Sequence, residues 1–303
     1  MKGTAQLMDI RGCYVAIVTP FNKDGSINES ALRDHIEFLI GKGVSGVVPC
    51  GTTGESATLS WDEHNLVVDI AIDQAKGRVQ VIAGAGSNNT AESIAAAQHA
   101  QQKGADAILC ITPYYNKPNQ EGLFQHFRAV ALKVDVPIVV YNVPGRTGVN
   151  LIPQTLERLC EFDNIIAVKE ASGDVTQVSE IHRLCGDRIS ILSGDDSLTL
   201  PILSIGGKGV ISVVANIIPQ KMCNMISSFF ENDLETARKI HEEILPLSQA
   251  MFIETNPIPV KTAVNLMGMR GGPLRLPLVE MSENNKNQLI SVLRKYNLYT
   301  GNL

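Results

Sequence analysis

The sequence predicts an α/β protein: a (β/α)8 TIM barrel with a C-terminal helical appendix. Three observations predict it. Eight short β-branched runs alternate with longer amphipathic stretches, the pair recurs about every 25 to 30 residues, and no strand-like run follows the eighth. Parallel strands covered by crossover helices read in this way, because both of their faces are buried.

The strands fall in order at 14–18 (YVAIV), 46–49 (GVVP), 79–83 (VQVIA), 107–111 (AILCI), 138–141 (IVVY), 165–169 (IIAVK), 189–192 (ISIL) and 210–213 (VISV). Between them lie helical patterns such as 29–42, and 61–76, where Ser60 and Glu63 form a capping box. Beyond the eighth strand, 220–250 and 284–296 read as helix, and the prolines of NPIPVKTAVNLMG (256–268) fix the entry to another. The expected division is a catalytic barrel over 1–230 and a helical region over 231–303, with no linker that makes the second independent.

Composition narrows the function. Of 303 residues, 44% are hydrophobic and 19% charged, which describes an ordinary globular protein with a large core. A net charge of -5 with interspersed signs gives no footprint for nucleic acid or an anionic membrane. The N-terminal MKGTAQLMDIRG lacks an apolar leader core and no run is long enough to span a bilayer, so a cytoplasmic location is expected. The six cysteines lie 25 or more residues apart without a CxxC pair, and the six histidines form no HxxxH pair. Disulfides, a structural metal and a catalytic metal are therefore not expected, and no cofactor motif is present. Side chains are left to do the chemistry.

In such a barrel the active site forms at the carboxyl ends of the strands. Five of those ends are unusual: CGTTGES, TPYYNKP, YNVPGRTG, KEASGD and SGDD. Lys169 ends a wholly apolar strand, where desolvation lowers an amine's pKa and makes it a carbonyl-capturing nucleophile; the alternative is a strand-end lysine paired with Glu170. A Schiff base needs a proton relay, and Tyr114, Tyr115, Tyr141, Thr52 and Thr53 stand at three strand ends; any single tyrosine there is more often packing, but their coincidence around Lys169 favours the relay. The glycine-rich GTTGES turns backbone N–H groups toward an anion, but without a following GK[ST] it is not a phosphate loop. Arg146 offers a fork for a carboxylate or braces its own loop. Asp195 and Asp196 point in different directions and read as helix caps more readily than as metal ligands.

GTTGE, PYYNKPNQEGL, YNVPGRTG, VKEASGD, LSGDD, GVISV and NPIPVKTA stand in the order found in the dihydrodipicolinate synthase family, and the chain resembles that family over nearly its whole length. Several of these motifs also occur in the wider superfamily that includes N-acetylneuraminate lyase. The double threonine and the arginine of YNVPGRTG favour the synthase. The resemblance implies condensation of pyruvate with L-aspartate 4-semialdehyde to a hydroxy-tetrahydrodipicolinate, the committed step of lysine (diaminopimelate) biosynthesis.

By the same resemblance Lys169 forms the imine, Tyr141 exchanges protons beside it, and Thr52 and Tyr115 complete the relay. Thr53 holds the pyruvate carboxylate, Arg146 the semialdehyde carboxylate, and the backbones of Gly194 and Ile211 line the pocket. One tyrosine of the YY pair crosses a dimer interface, which implies a homotetramer, a dimer of dimers. Feedback by L-lysine is implied at Ser56, Ala57, Trp61, His64, Asn88, Glu92 and Tyr114, with Trp61 a plant-type residue where many bacterial members have histidine, or simply an aromatic packed in the dimer contact. Two other readings stay open. Another Schiff-base pyruvate aldolase or keto-acid dehydratase would keep Lys169 and change the second substrate, against which Arg146 speaks. A non-catalytic ligand-binding barrel would have no need of a buried nucleophile.

Overall fold

The computed structural model describes residues 10–301, so residues 1–9 of the segment read for a leader lie outside the described residues. Eight parallel strands, β1 Gly12–Ala16, β2 Gly46–Val48, β3 Gln80–Gly84, β4 Ala107–Ile111, β5 Ile138–Asn142, β6 Ile165–Glu170, β7 Ser190–Ser193 and β8 Gly209–Ser212, follow one another in a closed barrel, as the sequence predicts. The helices are α1 Glu29–Gly41, α2 Trp61–Ala75, α3 Thr90–Lys103, α4 Gln120–Ala131, α5 Pro144–Thr147, α6 Pro153–Leu159, α7 Val175–Cys185, α8 Thr199–Ser204, α9 Pro219–Phe230, α10 Leu234–Ala250, α11 Ile258–Leu266 and α12 Glu283–Lys295. By compactness the chain divides into two units, one with residues 10–12 and Ala85–Val210, the other with Cys13–Gly84 and the described residues from Ile211 onward.

In the first unit the β5–β6 register pairs Tyr141 with Lys169 and Asn142 with Glu170. Side chains alternate along a strand, so Lys169 shares a face with Tyr141 while Glu170 faces the other way with Asn142. Val139, Val140, Ala167 and Val168 are fully buried, each large one worth roughly 1.5 to 3 kcal/mol, which makes these two strands a stiff platform. The helices begin where short polar side chains satisfy free N–H groups: Asn89 accepts from Ala91, Asn119 from Gly122, and Asp174 from Thr176 and Gln177.

In the second unit β1, β2 and β3 pair in order, with Ala16 opposite Val48 and Val47 opposite Val81. Leu32, Ile36 and Leu39 of α1 and Val67, Val68 and Ala71 of α2 are buried at helical spacing. The capping box at Ser60 and Glu63 is present in both directions. Strand β1 lies two residues earlier than expected. Its extension at Val18 leaves the ladder because the Asn216 carboxamide takes that N–H at 3.3 Å. Likewise β8 stops at Ser212, where the chain turns into a tight helical turn over Val214–Asn216.

The expected single helix over 220–250 is two. Asn232 adopts φ +65°, and Asp233 caps a new start by accepting from the Thr236 N–H, so α9 and α10 meet at a break that an amphipathic pattern on both sides concealed. Residues 231–301 hold α10, α11 and α12 and no strand. Among the described residues no helix is long and apolar enough to cross a membrane.

Candidate active site

Strand β6 delivers Lys169 to its carboxyl end with only 5% of the residue exposed. Its Nζ lies 4.2 Å from the centre of the Tyr141 ring, which the strand register puts beside it. Burial pushes the ammonium pKa down from 10.5 to about 8; the buried Asp196 carboxylate works against that shift and the Arg146 guanidinium adds to it. At pH 7 about one amine in ten is then neutral and nucleophilic, against about one in 3,000 for an ordinary lysine. Burial thus favours the neutral, nucleophilic form of Lys169 relative to an ordinary lysine.

The sequence alternative, pairing with Glu170, is not what holds either residue. Glu170 accepts from Asn142 Nδ2 at 3.0 Å, the Ser172 N–H at 2.7 Å and Gln177 Nε2 at 3.3 Å, on the opposite face of the strand. Gly194 donates its N–H to the Glu170 carbonyl at 2.8 Å. A Cβ at 194 would sit 3.1 Å from Lys169 Cε and 2.7 Å from Ala171 Cβ, so only glycine lets this loop lie against the lysine.

The loop after β5 carries Arg146 on the short α5, and the side chain is exposed. Residues around it brace that loop. Thr147 Oγ1 donates to the Val149 carbonyl at 3.0 Å, and Asn142 Oδ1 accepts from the Leu151 N–H at 2.9 Å. Asp195 caps the turn after β7 by accepting from the Ser197 N–H, as the sequence reading has it. Asp196, read there as a second cap, is buried, and its carboxylate acts on the Lys169 charge.

Tyr114 and Tyr115 follow β4. Tyr115 is 88% exposed with φ +72°, an unusual backbone for a residue with a Cβ, and it is not gathered with Lys169 and Tyr141 in this unit. The Asn116 N–H donates to the Tyr114 carbonyl at 2.9 Å, and Asn116 Nδ2 donates to the Asn88 carbonyl, so the YYN turn is hooked to the loop preceding α3. In the first turn of α3, Glu92 accepts from Ser87 Oγ at 2.7 Å.

The second unit holds the other predicted residues. Thr52 is half-buried and Thr53 buried in the turn after β2, and the Thr53 hydroxyl accepts from Asn256 Nδ2 at 3.1 Å. Ser56 and Ala57 lie in the tight turn Ser56–Thr58. Trp61 is about half exposed, with its ring centre 5.3 Å from that of the buried His64. Ile211 is buried in β8. Residues that sequence reasoning missed sit here too: Glu55 and Lys261 form a fully buried ion pair at 2.6 Å. The charge inside the apolar IPVKTAV run was the available signal. Among the described residues no three His, Cys, Asp or Glu side chains converge as a metal site.

A model of the Dihydrodipicolinate synthetase family matches residues 9–296. The 4-hydroxy-tetrahydrodipicolinate synthase of Geotalea daltonii is 55% identical over 288 residues, 95% of this chain and 99% of that protein. Among solved structures, the chloride-inhibited dihydrodipicolinate synthase of Acinetobacter baumannii complexed with pyruvate superposes with a TM-score of 0.94 at 41% identity, over 96% of this chain and 100% of that one. The enzyme of Cyanidioschyzon merolae with lysine bound gives 0.93 at 40%, over 95% and 98%. A monomeric dihydrodipicolinate synthase variant gives 0.93 at 41%, over 95% and 97%.

Proposed function

The chain belongs to the dihydrodipicolinate synthetase family and is an enzyme with the activity of the 4-hydroxy-tetrahydrodipicolinate synthases, and we propose that it performs this reaction through an imine between Lys169 and pyruvate. The observation that carries the assignment is the burial of Lys169 against the Tyr141 ring with its pKa pushed to about 8. The neutral amine attacks the keto carbon of pyruvate, and the carbinolamine loses water to give the imine. Loss of a methyl proton gives the enamine, whose carbon attacks the aldehyde of L-aspartate 4-semialdehyde. The substrate's own amino group then displaces Lys169 and closes the ring, which regenerates the amine.

Each proton in that sequence needs a carrier, and the Tyr141 hydroxyl is the group on the lysine's own strand face. By motif correspondence Thr52 and Tyr115 carry protons onward, Thr53 holds the pyruvate carboxylate, Arg146 that of the semialdehyde, and the backbones of Gly194 and Ile211 bound the pocket. A Tyr115 side chain this exposed makes chemical sense as a residue given to a second copy, which supports a homo-oligomer, with a dimer of dimers as the proposed form. A cytoplasmic site of action fits a reaction between two soluble metabolites.

Pyruvate followed by borohydride, digestion and peptide mass measurement tests the reading. Adduct on Lys169, together with pyruvate consumption that requires L-aspartate 4-semialdehyde, is the expected result. Adduct without such turnover would move the second substrate to that of a sister aldolase or dehydratase, and no adduct would retire the nucleophile. Feedback by L-lysine is proposed at Ser56, Ala57, Trp61, His64, Asn88, Glu92 and Tyr114, where Glu92 supplies a carboxylate for an ammonium group. Turnover is expected to fall across an L-lysine titration, and a flat response would remove this regulatory reading while leaving the catalytic one intact.

A further inference from the structure

The turn that carries Thr52 and Thr53 is held in an unfavourable backbone shape. Cys50 and Glu55, which flank it, have φ +56° and +55°, a region that costs residues with a Cβ about 1 to 2 kcal/mol. Something must hold both ends. Thr19 Oγ1 donates to the Gly54 carbonyl at 2.7 Å, and the Glu55 carboxylate is engaged on both oxygens, by Lys261 Nζ at 2.6 Å and by the Arg275 N–H at 3.1 Å. Asn256, just before α11, reaches the same turn at Thr53.

One short stretch of chain therefore grips the turn twice, through Asn256 just before α11 and through Lys261 in its first turn. A buried ion pair is a poor device for stability alone, since apolar side chains of similar volume do as well or better. What it supplies is a fixed distance and direction. The amide of Asn256 occupies an acceptor position of the Thr53 hydroxyl, so the hydroxyl proton is turned away from it and is left to donate elsewhere. A hydroxyl fixed as a donor is what a substrate carboxylate requires.

We propose that Asn256, Lys261 and Glu55 are positioning residues: the start of α11 locks the 51–55 turn in the one geometry that presents the Thr53 hydroxyl proton to the pyruvate carboxylate. The inference rests on the assignment of Thr53 to that carboxylate, and it makes α11 part of the substrate-binding apparatus.

The test reads pyruvate dependence separately from folding and from turnover. Glu55→Gln/Lys261→Met removes both charges, keeps an acceptor for the Arg275 N–H, and cuts the tether to α11. Asn256→Ser leaves the ion pair intact and cuts the other tether. In both, the pyruvate concentration for half-maximal borohydride trapping is expected to rise about tenfold or more, with kcat at saturating pyruvate within about threefold of wild type and thermal melting close to wild type. A merely structural role would shift melting and leave pyruvate dependence alone. Trapping of the wild type on Lys169 with unchanged pyruvate dependence in both folded variants would overturn the positioning role by itself. An untrappable wild type would overturn the Schiff-base reading, and this inference with it.

Discussion

Lys169→Met abolishes turnover, by on the order of 10⁴-fold or more, and at the same time makes the fold more stable. The two effects have one cause. In the unfolded chain the ammonium titrates near 10.5, in the folded protein near 8, because burial disfavours the charged form. Below pH 8 both states hold the proton, and keeping it in the folded state costs about 3 kcal/mol. Methionine fills nearly the same volume without the charge, so the variant gains about that amount at pH 7. The penalty is lost with rising pH in a defined window. Between about 8 and 10.5 the folded wild type has released a proton that the unfolded chain still holds, so wild-type stability rises there and the advantage of the variant shrinks toward zero. Urea unfolding of both proteins at pH 7 and pH 10 measures this. A variant no more stable than wild type at pH 7 would show that the lysine is not held desolvated.

Lys169 was legible in sequence because a lone cation at the end of IIAVK breaks an otherwise apolar strand, and strand register then dictates its partner. Tyr141 follows from the same register, since both residues end adjacent parallel strands. The barrel was legible for a related reason: strands buried on both faces leave unbroken apolar runs that periodicity detects. Asp196 was not, because two adjacent acids give no indication of which one turns toward the lysine. The break between α9 and α10 was hidden by apolar periodicity on both sides, although the Asn232 and Asp233 pair carried a turn-and-cap signal. Glu55 and Lys261 are 206 residues apart, and no local pattern links them. Each stands inside a conspicuous motif, and a charge in the apolar IPVKTAV run hints at burial, but only the fold pairs the two and removes both from water.

That pair sets the second large effect, an unequal response to single and double substitution. Lys261→Met alone destabilises the protein by roughly 3 to 5 kcal/mol, because it leaves the Glu55 carboxylate buried without its cation. The side chains are 1% and 0% exposed, so water cannot take the place of the lost partner. The Arg275 N–H would still donate to Oε2, but one neutral donor does not balance a full charge in this setting. The Arg275 guanidinium is committed elsewhere, donating to Glu63 at 2.8 Å and to the Gly25 carbonyl at 2.7 Å, while its plane lies 4.2 Å from the Phe21 ring centre. Phe21 also carries Lys261 Nζ at 4.0 Å, so the two cations flank one ring. Adding Glu55→Gln to Lys261→Met removes the stranded charge and recovers most of the loss, since the interior then holds a neutral amide beside an apolar side chain. Chemical denaturation of the wild type, the single variant and the double variant measures the difference. Equal destabilisation of single and double variants would mean that lost packing, not a stranded charge, governs this site, whereas recovery of stability without recovery of pyruvate affinity separates what the pair does for the fold from what it does for the turn that carries Thr53.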